Sequence, residues 1–290
     1  MSVPAVSTNY LTLPTGEKIF YRTSGEKNSS TILLLHGFPS SSHHYRNLIP
    51  LLAHKYRVIA PDLPGYGFTT VPEGYKFIFQ NLTDTIKTFI GALPNPPKRY
   101  AIYLLSFGAA VGFGLALSDP SSITGIVSQN ANAYEEGLTA FWDPIRTYWH
   151  SGTKKDRDNL RFLFTIETTK TQYFSGSPHP DAIAPESYTL DQLCLDRPGS
   201  QENQLDLFYD YPTYLALLPK IHEYFRMKQV PLLAVWGRND PVFATAGAEA
   251  YKKDLPNAEV HLLDTSHFAA ETNTKEIADL MLDFFERHQL

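Results

Sequence analysis

The chain has 290 residues, 43% of them hydrophobic and 19% charged, with a formal net charge of -5. That balance suits one large domain with an insertion, whose core needs no metal or disulfide staples. It excludes a strongly basic nucleic-acid binder, and no apolar run is long enough to span a bilayer. Cys194 is the only cysteine, so no intrachain disulfide can form, and a reducing, cytoplasmic setting is expected. Its apolar neighbours Leu193 and Leu195 predict a buried, inert thiol. MSVPAVSTNYLTLP lacks the charged and apolar regions of a secretory leader.

Strands are predicted at Val6–Leu13, Lys18–Thr23, Thr31–Leu35, Arg57–Ala60, Arg99–Leu105 and Ile123–Val127. Those at 31, 57 and 99 are dense in Val, Ile, Leu and Tyr, as parallel strands buried on both faces require. Between them Tyr45, Leu48, Ile49 and Leu52, then Leu82, Ile86, Phe89 and Ile90, recur at helical spacing. A further helix starts near Phe107 and is closed by Asp119-Pro120. From about Ala133 to Met227 the alternation stops, and an aromatic-rich stretch is punctuated by Ser175-Gly176-Ser177-Pro178 and Arg197-Pro198-Gly199. It then resumes with a strand over Pro231–Trp236, a helix over Gly247–Lys253, a strand over Glu259–Leu263 and an amphipathic helix over Glu276–Arg287. The simplest account is an α/β core, 1–132 and 228–290, interrupted by a mostly helical insert over 133–227.

The chemistry-bearing residues sit where strands end. In Tyr100 to Gly112 an apolar strand runs into Ser106, then Phe107-Gly108 and a small-residue helix. This is the pattern of a nucleophile elbow, a sharp strand-to-helix turn that exposes one side chain and needs small neighbours. Gly108 fits that pattern, but Leu104 stands where glycine is usual, so the motif is half matched. The plainer reading is a serine that only caps the helix. His36-Gly37-Phe38-Pro39 follows another buried strand and can point a backbone N–H at a developing oxyanion, with Phe107 N–H as the second donor. Asp240 follows the strand Leu-Leu-Ala-Val-Trp-Gly, and His267 follows Val-His-Leu-Leu-Asp. Open α/β sheets place ligands at these carboxyl ends, and the order Ser, Asp, His is the order of an α/β-hydrolase triad.

HGFPSSSHHYRNLIPLLA, YRVIAPDLPGYGF, SFGAAVGFGLAL, AVWGRNDPVF and LLDTSHFAAET together resemble the α/β-hydrolase superfamily, specifically its epoxide hydrolase and haloalkane dehalogenase branch. The resemblance implies an α/β-hydrolase fold: an eight-stranded, mostly parallel sheet with helices on both faces and a helical cap over the site. In that branch the nucleophile is usually aspartate; here the matching residue is Ser106. An aspartate that opens an epoxide or displaces a halide forms an ester, which water cleaves. Serine would form an ether, which has no carbonyl to attack. Serine suits acyl transfer instead.

The reading is therefore a cofactor-free serine hydrolase of an ester, lactone or thioester. Ser106 is the nucleophile, His267 the base and Asp240 its orienting acid, with Phe38 and Phe107 as oxyanion donors. The alternatives are a lyase, cyclase or isomerase using His267 as base, or a non-catalytic binder on the same scaffold. The substrate is a partly apolar small molecule. His43, Trp142, Tyr188, Tyr211 and Tyr214 are candidate lining residues, although solvent-exposed helix-start positions are the plainer reading of His43 and His44. Tyr209 joins the tyrosines that the resemblance suggests for activating a leaving oxygen. Leu104 and Leu105 are read as the dry floor of the site. Asp62 is read as a loop holder, Asn130 and Asn132 as unable to serve as the acid, and Asp264 as a turn residue. Nothing points to metal, membrane or nucleic acid as a partner, and a monomer or homodimer is compatible with the chain.

Overall fold

The computed structural model describes residues 4–27 and 29–290. Eight strands form one sheet: β1 Ser7–Thr12, β2 Lys18–Ser24, β3 Thr31–Leu35, β4 Arg57–Pro61, β5 Tyr100–Leu105, β6 Ile123–Gln129, β7 Leu232–Gly237 and β8 Glu259–Leu263. Their order is β1-β2-β4-β3-β5-β6-β7-β8. β2 runs antiparallel to both its neighbours, and every pairing from β4 to β8 is parallel. All residues of β3, β4, β5 and β7 are buried, which is why those segments read as unbroken apolar runs.

Helices cover both faces. α1 (Leu48–Leu52) and α12 (Thr274–Arg287) lie on one side with Ala101, Tyr103 and Leu105 of β5. α2 (Phe79–Ala92) and α3 (Gly108–Ser118) lie on the other with Tyr100, Ile102 and Leu104. Strand alternation thus sends Leu104 and Leu105 to opposite helical layers, so neither floors the site as expected. Leu104 meets α3 at Gly112, where an added Cβ would overlap Leu104 Cδ2. The bulk of Leu104 is accommodated by a missing side chain one helical layer away.

Between β6 and β7 the chain is helical throughout. Four short 3-10 turns (Glu135–Gly137, Ala140–Trp142, Leu160–Phe164, Pro180–Ala182) alternate with α4 (Asp143–Ser151), α5 (Lys154–Asn159), α6 (Ile166–Phe174), α7 (Pro185–Leu195), α8 (Ser200–Leu215) and α9 (Leu218–Lys228). α9 packs against α3 through Phe225 and Phe113, ring centroids 5.6 Å apart, on a face of the sheet. α8 instead reaches over the strand ends, where Phe208 and Tyr211 meet Phe107. α10 (Thr245–Ala250) and α11 (Ala269–Thr272) complete the chain. Among the described residues no helix is long and apolar enough to cross a membrane.

Candidate active site

The sheet order changes direction at β3, which pairs with β4 on one side and β5 on the other. The loops leaving β3 and β5 are therefore neighbours at the carboxyl edge, the usual ligand crevice of such sheets. Ser106 sits on the turn after β5 with φ 50°. That left-handed value is uncommon for a residue with a Cβ and is kept by its surroundings. An added Cβ at Gly108 would overlap Leu35 O, and one at Gly37 would overlap Ser106 Cβ. The two glycines thus let α3 and the β3 loop close tightly on the serine. Ser106 accepts from Ala109 N–H through its backbone carbonyl (2.9 Å), and its side chain caps nothing, so the helix-cap reading fails.

His267 and Asp240 are paired. His267 Nδ1 lies 2.8 Å from Asp240 Oδ2, and both side chains are buried. Asp240 also accepts Val242 N–H at Oδ1 (2.7 Å) and the Asn130 amide at Oδ2 (2.7 Å). Asn130, just past β6, has φ 46° and accepts Gly237 N–H (3.0 Å) through its own side-chain oxygen. It bridges β7 to the carboxylate, a role that a search for ionisable residues passes over. Gln129 similarly donates to His267 O (2.8 Å) while accepting from Tyr103 (2.6 Å).

The atoms left over are the ones chemistry would use. Among the described residues, Ser106 Oγ and His267 Nε2 have no hydrogen-bond partner, yet neither is sealed from water. The backbone N–H groups of Phe38 and Phe107 likewise have no acceptor there. His36 fixes the β3 loop. Its Nδ1 lies 3.0 Å from Gly37 O and its Nε2 accepts Leu63 N–H (2.9 Å), an arrangement of the neutral ring, whose basicity burial lowers. Asp62 holds its loops as expected, accepting Ser42 N–H and Phe68 N–H, both at 2.8 Å.

Aromatic rings enclose this edge. Tyr211 stacks on Phe107 (centroids 5.3 Å apart) and on Trp142 (4.5 Å). Phe208 meets Phe38 and Phe107 edge-on at 5.2 Å, and Phe243 lies 5.9 Å from the His267 ring. Trp142 Nε1 donates to Val242 O (3.1 Å), linking the cap to the loop that holds Asp240. Trp142 and Tyr211 therefore stand beside the serine turn. Tyr214 stands behind Tyr211, with its hydroxyl committed to Asn132 O.

Three sequence expectations are corrected. Tyr188 packs on Phe174 (5.7 Å) under the Lys170 ammonium, with the Tyr173 and Phe268 rings between it and His267. Tyr209 is half exposed and lies on Tyr148. His44 is buried, its ring edge-on to Tyr45 (5.3 Å) and Phe268 (5.2 Å), and His43 is half-buried. Burial, then the Arg46 and Arg22 charges, lowers His43 to about 4; burial lowers His44 to about 3. His43 lies within the electrostatic reach of Arg46, Arg22, Glu271 and Glu186, and its backbone carbonyl accepts the Arg46 guanidinium (3.3 Å). Arg46 binds Glu271 through both nitrogens (3.1 and 2.7 Å), and Glu271 accepts the Ser187 hydroxyl of the cap (2.9 Å). Sequence reasoning also missed Tyr173, which stacks on Phe268 (4.2 Å), itself 5.0 Å from the His267 ring. Tyr173 donates to the buried Asp191 carboxyl (2.6 Å). Cys194 is buried against Gly67 O (3.6 Å), and burial pushes its thiol up to about 11, as an inert cysteine requires.

The profile of the alpha/beta hydrolase fold matches residues 30–274, more than four-fifths of the chain, and the chain belongs to that family. It is an enzyme of the hydrolase class. An uncharacterized hydrolase of Saccharomyces cerevisiae is 44% identical over 274 residues, covering 93% of this chain and 94% of its own. A cis-3-alkyl-4-alkyloxetan-2-one decarboxylase of Shewanella oneidensis is 25% identical, covering 90% of this chain and 83% of its own. Among solved structures, the haloalkane dehalogenase DbeA of Bradyrhizobium elkani shares the fold with a TM-score of 0.80 or better: 0.82 at 20% identity, over 98% of this chain and 99% of that one.

Proposed function

We propose that the protein hydrolyses a carbonyl ester, lactone or thioester of a partly apolar small molecule through an acyl-enzyme on Ser106. The observation that carries this is the set of unengaged atoms at one edge of the sheet. Ser106 Oγ, His267 Nε2 and the Phe38 and Phe107 N–H groups all lack partners among the described residues, while His267 Nδ1 is held by Asp240. Ser106 Oγ attacks the carbonyl carbon and its proton passes to His267 Nε2. The two N–H groups stabilise the oxyanion, and Asp240 stabilises the imidazolium. Collapse expels the alcohol or thiol, which takes the proton from His267. Water, deprotonated by His267, then attacks the acyl carbonyl and releases the acid and free Ser106. The oxetan-2-one named for the Shewanella relative is a four-membered lactone and so contains the kind of carbonyl that a serine can attack.

A second reading, in which His267 activates water or substrate directly and Ser106 only hydrogen-bonds, is favoured by one fact. Ser106 Oγ makes no hydrogen bond to His267 Nε2 in this structure. A fluorophosphonate probe followed by mass spectrometry separates the two, together with turnover of an aryl ester and a β-lactone. Labelling at Ser106 and loss of turnover in Ser106→Ala support the acyl-enzyme. Turnover that survives Ser106→Ala supports the second reading.

A further inference from the structure

At the opposite edge of the sheet, where β5, β6 and β7 begin, lies a cleft of about 640 Å³ lined by Lys98, Arg99, Ile123, Tyr224, Lys228 and Pro231, among others. Three of its walls are cationic and none of its lining residues is acidic. Among the described residues, neither Lys98, Arg99 nor Lys228 has an ion-pair partner, on a chain whose net charge is negative. Elsewhere other surface cations are paired, as in Arg226 with Asp254 (2.6 Å) and Arg287 with Glu259 (2.7 Å). Asp119, next to the lining residue Pro120, accepts the N–H (3.2 Å) and the hydroxyl (2.6 Å) of Ser121 and lines the adjoining cleft.

A second, independent observation is Tyr224. It is 5% exposed, and its hydroxyl is a sealed polar atom without a partner. Burial raises that phenol well above its ordinary value, so it stays a neutral donor. Three exposed cations with no carboxylate among the lining residues make a wall that attracts an anion, and the enclosed Tyr224 hydroxyl beneath it is reached only by a group that displaces its cover. The floor of Ile123, Val230 and Pro231, with Pro120 at the rim, is apolar and suits an uncharged organic part of the same ligand.

We propose that this cleft binds an organic diphosphate: a diphosphate group neutralises Lys98, Arg99 and Lys228, and its apolar or planar remainder lies on Ile123, Val230 and Pro231. The six residues of β5 separate it from Ser106 by roughly 15–20 Å, so it is distinct from the hydrolytic site.

Isothermal titration of the full chain with ADP, pyrophosphate and adenosine tests this. One ADP should bind per chain, more weakly as salt is added, with pyrophosphate weaker than ADP and adenosine not bound. Lys98→Glu/Lys228→Glu should weaken ADP at least tenfold at an unchanged melting temperature. If that variant melts early, Lys98→Gln/Arg99→Gln takes its place. Absence of saturable ADP binding up to about 1 mM, a level that leaves little specific affinity, overturns the proposal. So does full ADP affinity in the charge variants, equal affinity for adenosine, or capture by anionic vesicles without ADP binding.

Discussion

Asn130 carries two loads that different substitutions separate. Its backbone is left-handed, at φ 46°, and its side chain donates to Asp240 while accepting from Gly237 N–H. Asn130→Gly removes the side-chain bridge and suits the left-handed backbone; Asn130→Ala removes the bridge but keeps a Cβ there without the short polar side chain that makes asparagine tolerable in that region. A hydrogen bond to a charged, buried group is worth roughly 1.5–3 kcal/mol. The left-handed conformation costs an ordinary L-residue roughly a further 1–2 kcal/mol. The glycine variant should therefore unfold at lower denaturant than wild type, and the alanine variant at lower denaturant still. For catalysis both lose the same restraint on Asp240. At about 1.4 kcal/mol per tenfold, kcat/KM on an activated aryl ester should fall roughly 10- to 100-fold in each. The fall should appear in kcat rather than KM, because Asn130 positions the acid and touches no substrate. Stability is read by urea titration and activity by initial rates across pH. Equal stability of the two variants refutes the backbone argument, and wild-type kcat in either refutes the positioning role.

Other outcomes follow from the same geometry. His267→Ala should fold normally yet lose nearly all aryl-ester turnover, and Asp240→Asn should lose most of it because the imidazole tautomer is no longer fixed; near-normal rates in either would place the base or acid elsewhere. Wild-type protein should show no multiple turnover of a simple epoxide or chloroalkane, measured as product per enzyme, since an ether on Ser106 has no carbonyl for water to attack; sustained release is the contrary result. Burial pushes the Asp191 carboxyl up to about 7, far above its ordinary range. Its protonated form therefore favours the fold at low pH, and that contribution fades as pH rises from about 4 through 7. Asp191→Asn should accordingly melt higher than wild type at pH 8 and show a smaller decline between pH 5 and 8; parallel melting curves across that range would contradict it. Gly112→Ala should destabilise by about 1–3 kcal/mol through overlap with Leu104, and adding Leu104→Ala should relieve part of that overlap. Strict additivity in denaturant unfolding would dissociate the two positions.

Much of this architecture was legible because doubly buried strands are chemically monotonous. β3 and β8 fall on their expected bounds and the others within one or two residues, since each is an apolar run closed by turn residues. The positions of Ser106, Asp240 and His267 were legible for a related reason: Ser106 follows such a run directly, and Asp240 and His267 lie on the short loops that leave β7 and β8. The directions of side chains were not. Leu104 is beside Ser106 in sequence but faces α3, as alternation along a strand demands. His43 and His44 read as a polar helix start, yet His44 is buried against Phe268, more than two hundred positions later, a contact that no local pattern encodes. Asn130 was set aside because it cannot ionise, although its value lies in donating to a group that does. Trp142 and Tyr211 were recognisable only as members of an aromatic crowd. What distinguishes them from Tyr188 and Tyr209 is the winding of the helices that carry them, and periodicity within the insert is too weak to fix that.

The exchange of space between Leu104 and Gly112 bears on how this elbow can change by descent. The usual small residue two places before the serine is absent, and the room it would have made is found eight positions along, on α3. Any lineage gaining a side chain at position 112 must first have reduced the one at 104, because the reverse order passes through an overpacked intermediate. The two sites thus form an ordered pair, each step opening or closing the next. A motif search keyed to the flanking glycine alone would pass over such a chain even though its turn is intact.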